Sequence, residues 1–375
     1  MSNLQPELSD EHFMARAIEL AARGLYTTMP NPRVGCVLVS DGEVIGEGFH
    51  QRAGEGHAEV NALASADAAR VRGATAYVSL EPCSHYGRTG PCCEALVNAG
   101  ISRLVVAMQD PNPDVAGRGI AFCEAAGIEV KVGVCEAAAQ QLNAGFVKRM
   151  RQQRPFVRVK LAASLDGRTA MASGESKWIT GPAARRQVQR LRARSSAIIS
   201  GVAAVLADDS RLTVRESESG LSSSEAGPLP LRVVIDSRLR LPPTASMLSE
   251  EGRTLVFTTA RREPQAQALS SAGAEIIEVT ASDDGHVSLA AVLSYLASEE
   301  SCNEVLVESG ASLAGAFMGQ HLVDEVVIFM APTLLGSTAL PLFDMQLTQM
   351  SEQQRLVISD VRAVGDDWQI IARPV

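Results

Sequence analysis

The sequence predicts an α/β protein of two domains, the first over residues 1–150 and the second over 155–375. Three observations carry this. The chain has 375 residues, 46% of them hydrophobic, which exceeds one typical domain and suffices for two cores. Short β-rich runs alternate with helical periods along both halves. Between the halves, Lys148-Arg149-Met150-Arg151-Gln152-Gln153-Arg154-Pro155 is a basic, polar run closed by proline, a boundary signal.

In the first half, Ser9 or Asp10 caps a helix whose Phe13, Met14, Ala17, Ile18 and Ala21 share one stripe, ending near Gly24. Residues 34–39 and 44–48 read as a hairpin around Asp41-Gly42. His57 opens the helical run Ala58-Glu59-Val60-Asn61-Ala62-Leu63, and 75–80 is a buried strand. Pro91 introduces a helix that starts at Cys92 and stops at Gly100. A strand at 104–108, a helix near 117–126, a strand at 128–132 and a helix at 136–149 complete a three-layer unit with helices on both faces of a mixed sheet.

In the second half, 156–162 is an alternating strand carrying Lys160, followed by a turn at Asp166-Gly167. Residues 185–194 form a basic helix, and 197–201, 231–236 and 254–258 are strands. The strand 304–308 runs into Ser309-Gly310-Ala311-Ser312-Leu313-Ala314-Gly315, a turn feeding a helix whose amides could bind a cofactor phosphate. It lacks the spaced glycines of a dinucleotide fingerprint, so alone it is also compatible with a plain strand–helix turn. Strands at 324–331, 356–359 and 368–372 follow one another without clear helices, which predicts antiparallel pairing at one edge. Residues 216–230, rich in Ser, Glu, Gly and Pro, read as a mobile surface insertion.

Composition narrows the function. A net charge of −9 argues against a general nucleic-acid binder. No apolar run approaches the roughly 20 residues that span a bilayer, and the opening Met1-Ser2-Asn3-Leu4-Gln5-Pro6 has no targeting pattern. Seven cysteines, an odd number, point to a reducing cytoplasm and to metal binding.

The chemistry is concentrated at His57, Cys83 and Cys92 with Glu59. One imidazole and two thiolates suit tetrahedral zinc, and three protein ligands leave a position for water. Glu59, two residues past the histidine, is placed to shuttle protons, the order found in zinc deaminases of bases. A closed structural site would need a fourth ligand. Cys93 is adjacent, but neighbours on a helix point about 100° apart, so Cys93 reads as a core residue. The helix start is expected to hold Cys92 as thiolate. Eight residues separate Cys83 from Cys92, and His85, Arg88 and Thr89 among them look suited to a polar or anionic substrate.

Cys83-Ser84-His85-Tyr86-Gly87-Arg88-Thr89-Gly90-Pro91-Cys92 resembles the bifunctional riboflavin-biosynthesis deaminase/reductase family. Further matching segments are Asn31-Pro32-Arg33-Val34-Gly35-Cys36-Val37, Met108-Gln109-Asp110-Pro111-Asn112-Pro113, Lys160-Leu161-Ala162-Ala163-Ser164-Leu165-Asp166-Gly167-Arg168 and Lys177-Trp178-Ile179-Thr180. The resemblance implies a cytidine-deaminase-like three-layer α/β domain followed by a dihydrofolate-reductase-like α/β domain. It implies zinc-dependent deamination of a phosphorylated diaminopyrimidinone, then NADPH-dependent reduction of its ribosyl group, in a cytoplasmic homo-oligomer (dimer or tetramer) without nucleic-acid or membrane partners. Asn31, His50 and the 84–89 loop are then candidate substrate contacts of the first domain. In the second, the family's cofactor positions fall on Ala162, Trp178, Ala204, Asp208, Gly310, Ala311, Ser312, Leu313, Ala314, Gly315 and Ala316. Its substrate positions fall on Ser176, Arg192, Leu212, Arg215 and Glu308. Arg192 and Arg215 suit a 5′-phosphate clamp, and Lys160 and Asp208 suit ribose orientation or proton relay. The chain departs from the family at Ala204, where threonine is common, and at Gly90 and Ser210, where proline is common. Two other readings remain at this level: a deaminase of nucleotides or tRNA adenosine, and a zinc-stabilised scaffold without catalysis. The long spacer counts against the first and Glu59 against the second.

Overall fold

A computed structural model describes residues 9–86, 90–113 and 115–375. The chain divides into two compact units, Met1–Gln153 and Arg154–Val375. Arg88 and Thr89, expected to face substrate, lie outside the described residues.

The first unit runs α1 (Asp10–Ala22), β1 (Gly35–Ser40), β2 (Glu43–Phe49), α2 (Ala58–Ser65), α3 (Ala68–Val71), β3 (Thr75–Val78), α4 (Cys92–Ala99), β4 (Arg103–Val106), α5 (Arg118–Ala125), β5 (Glu129–Val132), α6 (Glu136–Leu142) and α7 (Ala144–Gln152). The sheet order is β2-β1-β3-β4-β5, with β1 antiparallel to both neighbours and the other pairs parallel. Strand alternation splits the core. Val37 and Val39 pack with Phe13, Met14 and Phe146 on one face, and Cys36 and Leu38 with Ala58, Ala62 and Leu96 on the other. Three layers follow. The helix expected over 136–149 is interrupted at Asn143, whose buried side chain accepts from Arg33 N at 2.8 Å and donates to Arg33 O at 2.8 Å. That tertiary bond, not local propensity, sets the break.

The second unit runs β6 (Phe156–Ser164), β7 (Arg168–Ala170), α8 (Pro182–Ala193), β8 (Ala197–Gly201), α9 (Val202–Asp208), α10 (Glu216–Ser219), β9 (Leu231–Ile235), β10 (Thr254–Thr258), α11 (Gln265–Ser271), β11 (Ala274–Glu278), α12 (Leu289–Ser298), β12 (Glu304–Glu308), α13 (Ala311–Gly319), β13 (Glu325–Ala331), β14 (Leu340–Pro341), β15 (Leu356–Val364) and β16 (Asp367–Pro374). Nine strands form one sheet in the order β11-β10-β9-β8-β12-β6-β13-β16-β15. The strands from β11 to β13 are parallel, and β16 and β15 add the expected antiparallel edge. Val292, Leu296 and Phe317 cover one face; Val202, Leu269, Ala184 and Val188 cover parts of the other. The 216–230 segment differs from the expected mobile insertion at its start. Glu216–Ser219 is helical, Ser219 is buried, and its carbonyl accepts from Arg190 Nε at 3.0 Å. Among the described residues no helix is long and apolar enough to cross a membrane.

Candidate active sites

In the first unit, β3 delivers the chain through Pro82 to Cys83, while His57 is the N-cap of α2 and Cys92 the first residue of α4. The sheet thereby brings three distant ligands together. His57 Nδ1 lies 3.5 Å from Cys83 Sγ and 3.3 Å from Cys92 Sγ, and all three ligand atoms fall within 4.8 Å of one another. A tetrahedral zinc, with bonds of about 2.3 Å to sulfur and about 2.0 Å to nitrogen, sets such atoms roughly 3.5 Å apart. The donors fit zinc in type and spacing. Cys93 is buried against the core and outside this triangle, as its helical phase requires.

The α4 start is expected to favour a Cys92 thiolate, and the Cys92 amide also reaches Cys83 Sγ, 3.3 Å away. Donation from the Cys92 thiol, His57 and that amide pulls the Cys83 thiol down to about 4, and zinc, when bound, would hold both sulfurs as thiolates. Glu59 is 3% exposed on α2. Burial, reinforced by the Cys83 charge, pushes its carboxyl up to about 7. His50 Nε2 is 3.1 Å from Asn31 Nδ2, and its ring meets His57 edge-on at 5.3 Å, so both candidate substrate contacts stand beside the ligands. His85 is exposed.

Glu81 carries no sequence motif of its own, yet it anchors this site. Its buried carboxylate accepts from the amides of Asp110 (3.1 Å), Gly117 (2.9 Å), Gly119 (2.9 Å) and Ile120 (3.3 Å). An acid between a buried strand and a ligand cysteine was the only available signal. Nearby Asp110 is pushed up to about 6, chiefly by burial.

In the second unit, the parallel register sets Glu308 of β12 opposite Lys160 of β6. Arg192 of α8 grips Glu308 through Nε–Oε1 at 2.6 Å and Nη2–Oε2 at 3.0 Å, and gives Nη1 to Thr213 O at 2.7 Å. Three of its five N–H donors are thus engaged inside the protein, while the side chain still lines the cavity described next. Arg215, half-exposed, pairs with Glu218 at 2.9 Å. Burial pushes the Lys160 amine down, opposed by Glu308. Burial would raise the Glu308 carboxyl, but Arg192, Lys160 and Arg215 together hold it below its ordinary range.

These groups line a cavity of about 570 Å³ with Ala162, Ser176, Trp178, Ala204, Asp208 and Leu212. Lys177 Nζ lies 3.9 Å from Asp208 Oδ1, and the Arg185 guanidinium sits 4.6 Å over the exposed Trp178 ring, two cation contacts that the sequence alone did not single out. Gly310 and Ala311 line this cavity and a second one of about 850 Å³; Ser312, Leu313 and Ala316 line the second alone. Ala314 and Gly315 do not join them. Ala314 faces the core, and a Cβ on Gly315 would lie 2.2 Å from Asp344 O, so helical phase makes them packing residues. Ser309, at the mouth of α13, lines both cavities with a buried Oγ that has no partner among the described residues. An orphaned hydroxyl beside a helix N-terminus fits a phosphate-bearing cofactor.

Residues 8–108 match the cytidine and deoxycytidylate deaminase zinc-binding region, and 155–370 match the RibD C-terminal domain. The riboflavin biosynthesis protein RibD of Escherichia coli is 48% identical over 96% of this chain and 98% of that protein. The Haemophilus influenzae protein of that name is 45% identical over 96% of each. Among solved structures, Acinetobacter baumannii RibD has a TM-score of 0.90 at 47% identity, covering 98% of this chain and 99% of its own. A Thermotoga maritima diaminohydroxyphosphoribosylaminopyrimidine deaminase/5-amino-6-(5-phosphoribosylamino)uracil reductase has a TM-score of 0.84 at 35% identity, with coverage of 98% and 99%.

Proposed function

The chain belongs to the bifunctional riboflavin-biosynthesis deaminase/reductase family, and from that premise we propose how its residues divide two successive reactions on one phosphorylated pyrimidine. The first unit removes the amino group of 2,5-diamino-6-(5-phosphoribosylamino)pyrimidin-4(3H)-one as ammonia. The second reduces the ribosyl group with NADPH, giving 5-amino-6-(5-phosphoribitylamino)uracil. The observation that carries this reading is the zinc-spaced triangle of His57, Cys83 and Cys92 with the buried Glu59 carboxyl two residues along α2.

Zinc held by those three side chains would polarise a water molecule and bring its pKa toward roughly 7. Glu59 would take one proton from that water and give it to the ring nitrogen as the oxygen adds to carbon, then take the second from the resulting hydroxyl and give it to the amine, which leaves as ammonia. A buried carboxyl, whose hold on a proton burial strengthens, suits both transfers. Asn31 and His50 hold the pyrimidine beside the ligands.

In the second unit NADPH, when bound, supplies hydride. Gly310 and Ala311 present α13 amides to its phosphates, and Ser309 gives its orphaned hydroxyl. Ala162, Ala204 and Trp178 shape the nicotinamide side. Glu308, fixed by Arg192, orients the ribose hydroxyls, and Lys160 and Asp208 hold or move the proton that accompanies reduction. Arg215, Ser176 and Leu212 face the 5′-phosphorylated end.

Purified protein given the phosphorylated diaminopyrimidinone tests this by following ammonia and NADPH absorbance together. Ammonia first and NADPH oxidation second is the expected order. NADPH oxidation without prior ammonia release would overturn it. A homo-oligomer is supported by edge strand β15, where Leu356, Val357, Ile358 and Val361 are 37–59% exposed, a density of exposed apolar side chains unusual at a free edge. Light scattering should report a dimer or larger, and Ile358→Lys should dissociate it.

A further inference from the structure

Arginines that line the smaller cavity of the second unit already hold carboxylates. Arg192 pairs with Glu308 at 2.6 Å, Arg211 with Glu250 at 2.9 Å and Arg215 with Glu218 at 2.9 Å. A phosphate dianion that takes one of these guanidinium groups competes with an acid for it. The pairs differ in how readily they yield. Arg192 and Glu308 are joined by two bonds and nearly buried, and Glu250 is not part of the cavity lining. Glu218 lines the cavity itself, and it meets Arg215 through one bond between half-exposed side chains, a solvated pair that is cheaply opened.

That pair is not what holds α10 in place. Gln189 Oε1 accepts from Arg215 N at 2.9 Å, and Arg190 Nε donates to Ser219 O at 3.0 Å. The backbone on either side of Glu218 is thus fixed from α8, while the Arg215 and Glu218 side chains can part without moving it. The Glu218 charge also reaches beyond Arg215. Burial would lower the Arg192 guanidinium, but Glu308 and, less strongly, Glu218 raise it. A carboxylate therefore stands among the arginines of the cavity, on a guanidinium that accepts carboxylate and phosphate by the same charge-assisted bonds.

We propose that Glu218 is a displaceable internal anion: it occupies Arg215 in the empty reductase, yields it to the substrate phosphate and reclaims it as phosphorylated product leaves. The proposal rests on the reading of Arg215 at the 5′-phosphorylated end. Glu218 then weakens substrate and product alike, and its removal has a sign that a bracing role would not give. A brace for Arg215 would weaken phosphate binding when lost; a competitor strengthens it.

The zinc-loaded full chain, supplied with deaminated substrate and NADPH, would be compared with E218Q, R215Q and R215Q/E218Q, using ribose 5-phosphate as inhibitor. E218Q should lower both KM and the inhibition constant of ribose 5-phosphate by about 2- to 10-fold, the scale of a solvated pair plus the repulsion of a dianion. R215Q should raise both constants, and in the double variant the gain from E218Q should vanish. A KM that E218Q leaves unmoved or raises overturns the proposal, as does a gain that persists without Arg215. An R215Q variant with the parent KM overturns instead the placement of Arg215 at the phosphate.

Discussion

Arg192→Gln isolates the electrostatic core of the reductase. The side chains of Arg192 and Glu308 are only 13% and 11% exposed, and two charge-assisted bonds join them at 2.6 and 3.0 Å. Removing one partner of a buried pair leaves an uncompensated charge and costs about 3–5 kcal/mol. The Thr213 carbonyl loses its donor as well. Glu308 is held below its ordinary value of 4.5, so its contribution to stability is present above that value and is lost as pH falls through the lower folded value. Without Arg192 the carboxyl rises, so this loss, and the acid limb of the reductase rate, both move to higher pH. Lys160 gains some affinity for its proton, because Arg192 had opposed it. The assay supplies deaminated substrate and NADPH across the acid range, with denaturant unfolding of the second unit in parallel. Turnover should fall on the order of 100-fold as Glu308 loses its fixed position, while ammonia release from the parent substrate persists. A stability change under about 1 kcal/mol, the value of a solvated pair, with an unmoved acid limb would refute this reasoning.

Glu59→Gln should lower ammonia release by about 10²–10⁴-fold while zinc content, read by metal analysis, stays at the parent level. Chelation of zinc should end ammonia release and leave NADPH-dependent reduction of deaminated substrate intact; parallel loss of both would break the assignment of zinc to the first reaction. Glu81→Gln turns an amide against backbone donors that now share a carboxylate, and should destabilise the first unit by about 1–3 kcal/mol and weaken zinc binding, measured by unfolding and by competition with a chelating dye.

The difference between what the sequence disclosed at the two sites has a physical origin. Zinc accepts few side-chain types, and its ligands each sit at a local landmark: a helix start at His57, a strand end before Cys83, a proline-led helix at Cys92. Residue type and local position together were therefore enough to single out three side chains that the fold gathers within 4.8 Å of one another. The electrostatics between those ligands were not legible in this way, because which sulfur receives the α4 amide depends on where Cys83 docks, 3.3 Å from Cys92 N. Asn143 makes the same point for the fold, since it ends a helix through a bond to Arg33, 110 positions away in the chain. In the reductase unit nearly everything is of this second kind. An arginine on α8 has the same local signature whether it meets solvent, a ligand phosphate or a buried acid. Only the β12–β6 register, which puts Glu308 opposite Lys160 and under Arg192, makes it a strut for the acid. Arg238 and Arg240 are the converse: unremarkable in sequence, they line the larger cavity because Leu239 and Leu241 are drawn into the core between and beyond them. Charge in this protein acquires its role from its neighbours across the sheet, so substitutions there should be read through the partner left behind as much as through the residue removed.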